Sequence, residues 1–222
     1  MCFSAAGSFV VAGVMAGIGT ASLARSAAPH RRMFAAIPLL FAAQQVAEGI
    51  VWRTLPDADQ ATLLHRSAVN VFLAFALVVW PIWSPGSLLS IEREPTRRRV
   101  LAVLLRMGIL VAVGAGVLLV AWQPRARVAV HSICYEYGYS GHTQVLSACM
   151  AAYVVPTVVP FFVSTARLSR TIGAMLVVSL ITAIVVKREA LTSVWCFFAA
   201  ILSGLVLVAV VREARRDRAA AR

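Results

Sequence analysis

The sequence predicts an all-α integral membrane bundle of about seven transmembrane helices, and three observations carry that prediction. The 222 residues are 60% hydrophobic and 14% charged, with a mean hydropathy of +0.83. Soluble domains carry about a quarter charged residues. Apolar stretches recur at a length close to the roughly 20 residues that a helix needs to cross the hydrocarbon core, and a backbone in lipid must satisfy its own hydrogen bonds, so these stretches are helices. Finally, the basic residues alternate in density from one connection to the next.

In chain order the candidate spans cover about 4–24, 33–52, 68–88, 100–122, 143–164, 171–187 and 190–211. The first holds Gly13 and Gly17, a GxxxG pair that lets a neighbouring backbone approach closely; packing within the chain is the expected use, with a dimer face as the alternative. The second, MFAAIPLLFAAQQVAEGIVW, carries Gln44, Gln45 and Glu48. Asn70 opens the third, and Pro81 and Pro85 should kink or loosen its end. Arg106 sits about two turns into the fourth, from where its long stem can snorkel to the interface. Pro156 and Pro160 should kink the fifth, the sixth is the shortest, and the last carries Ser193 and Cys196. The whole chain, 1–222, reads as one helical membrane domain with a basic cytoplasmic tail at 212–222.

The net charge of +12 does not point to nucleic acid, because the basic residues are dispersed through short connections. Loops 25–32, 89–99 and 165–170 and the tail from Arg212 hold 14 of the 21 Lys and Arg; the alternate loops hold six, and Arg106 is the remaining one. By the positive-inside rule the N-terminus lies outside and the C-terminus in the cytoplasm. The Arg-rich connections RSAAPHRR and IEREPTRRR read as solvated loops. Tryptophan prefers the membrane interface: Trp52 and Trp122 fall at predicted outer ends, Trp80 and Trp83 near an inner one, and Trp195 slightly below the outer surface. The N-terminus enters the first span without a basic leader region, so no cleavable signal is expected.

Of the nine acidic residues only Glu48 lies inside a span. A carboxylate there costs several kcal/mol unless it is protonated, paired or facing water, which makes it a functional-site hypothesis by default. Glu48 is four residues from Trp52, roughly 6 Å below the outer helix end, with Gln44 one turn deeper on the same face and Gln45 beside it. Cys196 lies roughly 9 Å into the last helix, with Ser193 nearby. The longest outer connection, QPRARVAVHSICYEYGYSGH, brings His131, Cys134 and His142 to the same side. Its alternating Tyr135, Tyr137 and Tyr139 suit a short strand or extended cap, followed by a turn at Gly138–Gly141.

Thiolate, imidazole and carboxylate together suit zinc, copper or iron. The preferred ligand set is Cys2, Glu48, His131 and Cys196, with Gln44, Gln45, Asn70 and Ser193 supporting it and with Glu48 and Cys2 as the groups that could do chemistry. Removal of Met1 would set a free amine beside the Cys2 thiol as a chelating pair or nucleophile. A metal would also supply the countercharge for Glu48. The competing reading is structural: Glu48 bonded to glutamine or backbone groups or protonated, the four cysteines in two disulfides, and Cys149 and Cys196 as buried small hydrophobes.

The opening MCFSA (Met1–Ala5), EGIVW (Glu48–Trp52) and SVWCFFAA (Ser193–Ala200), with IPLLFAAQQ and HSICY between them, resemble a poorly characterised family of small bacterial multi-span membrane proteins. The resemblance covers most of the chain. It implies a multi-pass protein of the bacterial inner (plasma) membrane, with no activity attached.

Four functions follow in order. The first is an outward-facing membrane metalloprotein, extending to an enzyme in which Glu48 is ligand or general base. The second is a channel or transporter along Glu48, Gln44 and Gln45, which needs polar groups to continue inward where the second helix is apolar. A retinal protein is excluded, since the only lysine, Lys187, is at the last turn rather than mid-membrane. The last is an accessory or redox subunit. Expected partners are membrane lipid, a second copy or a membrane subunit.

Overall fold

The computed structural model describes residues 4–26, 28–55, 62–129, 132–136, 143–187 and 191–220. It is mostly helical, with seven helices. We number them α1 (Ala5–Arg25), α2 (Pro29–Thr54), α3 (Leu63–Ile91), α4 (Pro95–Trp122), α5 (Thr143–Val158, continued by Pro160–Val163), α6 (Ser169–Lys187) and α7 (Leu191–Leu202, continued by Gly204–Ala220). Among the described residues five of these, α1 to α4 and α7, are long and apolar enough to cross a membrane. Residues 212–220 continue the last helix.

Each helix starts or bends where its sequence dictates. Ser4 caps α1, its hydroxyl accepting from the Gly7 N–H at 3.2 Å. Pro38 cannot donate to the helical ladder, and α2 accordingly breaks at Ala36 between a short first segment, Arg32–Ala35, and the long Ile37–Thr54. In α3 the turns just before Pro81 widen into a π segment over Phe75–Val79. α5 is interrupted at Val159 between Pro156 and Pro160. The expected proline effects are thus present, displaced toward the N-terminal side of each proline, where the missing bond falls. Glu94 caps α4, its carboxylate accepting from the N–H groups of Thr96 and Arg97.

α2 is the central helix: 67% of its apolar window is buried, against 17% for α4 and 28% for α1. α1 buries a single seam of Ser8, Ala12, Met15, Gly19 and Ser22, spaced three and four apart, along which it packs on α2. A Cβ on Gly19 would lie 2.8 Å from the Leu39 backbone nitrogen, so this crossing requires glycine. The expected role of Gly13 and Gly17 in packing within the chain is not what forms. Both lie on the exposed face of α1, with nothing among the described residues within 4 Å of a Cβ placed there. α3 and α4 also approach closely, since a Cβ on Gly108 would sit 1.9 Å from the Pro81 carbonyl oxygen.

One end of the bundle is closed by an antiparallel hairpin, β1 (Arg125–Ala129) and β2 (Ser132–Glu136), with Arg127 opposite Cys134. Its Ile133 and Tyr135 are buried against α2 and α3, and Tyr135 stacks on Phe72 with ring centroids 4.9 Å apart. Arg127 and Glu136 form an ion pair across the strands. The expected cap is therefore present as two strands. Tyr137, Tyr139, His142 and the expected turn at 138–141 lie outside the described residues. We call this the hairpin end and the opposite one the arginine end.

The connections at the arginine end are not uniformly solvated, as IEREPTRRR suggested. Glu92 is 2% exposed and accepts from the N–H groups of Arg93 (3.0 Å), Glu94 (3.1 Å) and Thr165 (2.6 Å) and from the hydroxyls of Thr165 (2.8 Å) and Ser164 (3.1 Å). It ties the α3–α4 connection to the α5–α6 connection.

Candidate functional site

Three helices deliver polar side chains to one place in the hairpin-end half of the bundle. On α2, Gln44, Gln45 and Glu48 share a face through their three- and four-residue spacing, and all three are fully buried. Gln45 Nε2 donates to Glu48 Oε2 at 3.2 Å. From α7, the Ser193 hydroxyl donates to Glu48 Oε1 in a short hydrogen bond. Both carboxyl oxygens thus receive a neutral donor, which orients the group from two sides. From α3, Trp80 Nε1 donates to Gln44 Oε1 at 2.8 Å, while its ring stacks on Phe41 at 4.0 Å. Cys196, three residues after Ser193 and 5% exposed, brings its thiol within interaction range of both Gln44 and the Glu48 carboxyl group.

The surroundings are apolar. Val51, Phe72, Leu73 and Tyr135 close the hairpin side. On the arginine-end side of Cys196 lies a cavity of about 50 Å³ lined mainly by apolar and aromatic groups, among them Phe41, Trp80, Tyr153, Phe161 and Trp195. Beyond it the core of Phe34, Ile37, Leu88 and Leu101 fills the bundle. Ser84, Thr157 and Ser203 also line the cavity, their hydroxyls donating to the carbonyls of Thr157, Tyr153 and Ala200.

Of the residues selected from sequence, Glu48, Gln44, Gln45, Ser193 and Cys196 come together. Asn70 does not join them; it lies on the exposed face of α3. Cys2 and His131 lie outside the described residues. Among the described residues no three His, Cys, Asp or Glu side chains converge as a metal group, so Glu48 and Cys196 stand as a pair. Cys149 and Cys196 carry free thiols, which rules out two disulfides among four cysteines, and Cys149 is exposed rather than buried.

Trp80 was missed as a site residue. The interfacial preference of tryptophan assigned it to a membrane surface, but it is 6% exposed and bonded to Gln44 inside the bundle. The available signal was its position midway along a 29-residue helix with a glutamine to satisfy its N–H. His65 is 3% exposed, with Nδ1 2.7 Å from the Thr54 hydroxyl, and so fastens the start of α3 to the end of α2.

The match to known families follows this geometry. The chain belongs to DUF6629, a family of unknown function. The family model matches residues 1–222, so the bundle, the hairpin and the polar cluster all fall within it. No curated protein and no solved structure is similar enough to match.

In this DUF6629 chain the Gln44–Trp80 bond makes a separable prediction. Gln44→Leu strands the buried indole N–H and should destabilise the protein by about 1–3 kcal/mol. Combined with Trp80→Phe, the loss should be smaller than the sum of the two single variants, because both remove the same bond. Thermal unfolding of the three variants in detergent measures it.

Proposed function

We propose that the chain is a multi-pass membrane protein of the bacterial plasma membrane, with the hairpin end outside and the arginine end cytoplasmic, whose outer half holds a metal-binding site centred on Glu48 and Cys196. Cys2 and His131, which lie outside the described residues, complete the proposed ligand set. A transition metal bound there would supply a Lewis acid or an activated water. Glu48 then serves as ligand or general base, held in one orientation by Ser193 and Gln45, while the apolar walls exclude bulk water.

The observation that carries this reading is the pairing of a fully buried carboxyl group with a buried free thiol, on two different helices, inside otherwise apolar packing. Acids and thiols are the ligand types that zinc, copper and iron take. A channel or transporter is disfavoured because the cavity beside Cys196 is lined mainly by apolar side chains, and the hydroxyls on it, of Ser84, Thr157 and Ser203, each bond a backbone carbonyl.

Elemental analysis of protein purified in detergent tests the proposal. About one transition-metal ion per chain is expected in the wild type, with a loss of about tenfold or more in affinity for Glu48→Gln and for Cys196→Ser and none for the exposed Cys149→Ser. Metal-free wild type, or metal unchanged in both site variants, would sink it.

A further inference from the structure

At the arginine end, on the far side of the molecule from Glu48, a second cavity of about 230 Å³ opens between the start of α2, the end of α3, the α5–α6 connection and α7. Four arginines line it, Arg31, Arg93, Arg167 and Arg216, together with His30 and a single acid, Glu213. Arg31 pairs with Glu213 at 3.7 Å. Arg93, Arg167 and Arg216 have no acidic partner among the described residues. The carboxylate of Glu92, next to Arg93 in the chain, already accepts from Ser164, Thr165 and the N–H groups of Arg93 and Glu94. The Glu92 network also fixes the backbone on either side of the cavity, since Arg93 and Thr165 both belong to it.

From these observations we infer that this cavity binds a phosphate-bearing anion, as a lipid headgroup or as a soluble phosphate compound. Three guanidinium groups gathered from three separate segments repel one another, and an anion between them removes that cost. The planar guanidinium fork matches two phosphate oxygens at once, which an ordinary solvated surface arginine has no reason to be arranged for. The floor of the cavity is apolar, formed by Phe34, Ile91, Ala209 and Val210. A phosphate group carried next to an aliphatic portion fits both halves of this lining, and basic pockets between helices at the cytoplasmic level recognise anionic headgroups in this way. The site is independent of the Glu48–Cys196 reading.

The test uses full-length protein in two arms, with Arg167→Gln and Arg216→Gln as site variants and Arg66→Gln, at the hairpin end, as the control for charge alone. In the first arm, inorganic phosphate is titrated in detergent at constant ionic strength set with sodium chloride. In the second, native mass spectrometry counts lipids retained after exchange into mixed micelles of phosphatidylglycerol and phosphatidylcholine. Saturable phosphate binding, or selective retention of phosphatidylglycerol, is expected in wild type and in Arg66→Gln, with roughly tenfold weaker binding for each site arginine removed. Binding in the first arm alone identifies a soluble ligand; retention in the second alone identifies a headgroup. Each of these supports the inference. No saturable binding in either arm, or equal binding by the site variants and wild type, overturns it. Unchanged elution of the site variants as folded monodisperse protein separates loss of the site from loss of the fold.

Discussion

Replacing Glu92 by Ala is expected to destabilise the protein by about 3–5 kcal/mol. That range is what removing one partner of a buried charged network costs, and here five donors lose their acceptor together. The two connections that Glu92 joins would separate, freeing the ends of α3 and α5. The same network sets a pH dependence. Burial alone would raise the Glu92 pKa, but the hydrogen bonds from Thr165, Glu94 and Ser164 outweigh it and hold it at about 2, below the ordinary 4.5. The unfolded chain therefore takes up the proton first as the pH falls. The stabilisation is complete above about pH 5 and is lost between there and pH 2, on the order of 3 kcal/mol in all. Thermal unfolding in detergent from pH 7 downward should show that decline in wild type, and Glu92→Gln should flatten it. A decline of the same size in Glu92→Gln would assign it to other carboxylates.

The second large effect belongs to Gly108. A methyl group there would sit 1.9 Å from the Pro81 carbonyl oxygen and 2.7 Å from its carbon, both backbone atoms that cannot rotate away. Gly108→Ala must therefore push α3 and α4 apart, and about 3 kcal/mol or more is expected, the upper range for overpacking. Because Pro81 follows Trp80 directly, the displacement reaches the Gln44 bond, and tryptophan fluorescence should shift to the red as the indole is loosened. Gly13→Ala is the contrasting case. Its Cβ meets nothing within 4 Å among the described residues, so the usual helix preference of alanine should stabilise by about 0.5–1 kcal/mol. Equal effects of the two substitutions would refute the close approach at Gly108.

What could be read from the sequence was whatever depends on local spacing. Length and hydropathy located all seven helices, although α2, α3 and α4 each begin about four to five residues earlier than the apolar stretches alone suggested and the last helix runs on to Ala220. Gln44, Gln45 and Glu48 were legible because i, i+3 and i, i+4 positions share a helix face whatever the tertiary fold. Depth along the chain was enough to bring Ser193 and Cys196 beside them.

What could not be read depends on rotation and on distant partners. Gly13 and Gly17 carry a packing motif, yet the helix turns that face outward, because the Ser8–Ala12–Met15–Gly19 seam makes the contact instead. Asn70 sits at a suitable depth but on the wrong side of α3. Glu92 looked like any charged loop residue; its burial comes from a segment 73 positions away that no local pattern announces. Trp80 followed an interfacial statistic until a glutamine on another helix gave its N–H an interior partner.

The central claim is that Glu48 and Cys196 ligate one metal ion. X-ray absorption at the edge of whichever metal copurifies with the full-length protein addresses it most directly. The account predicts a metal–sulfur shell, near 2.3 Å for zinc, alongside oxygen or nitrogen ligands at about 2.0–2.2 Å, with the sulfur shell weakened in Cys196→Ser and the oxygen shell altered in Glu48→Gln. A spectrum without sulfur ligands, or one that neither substitution changes, would contradict it.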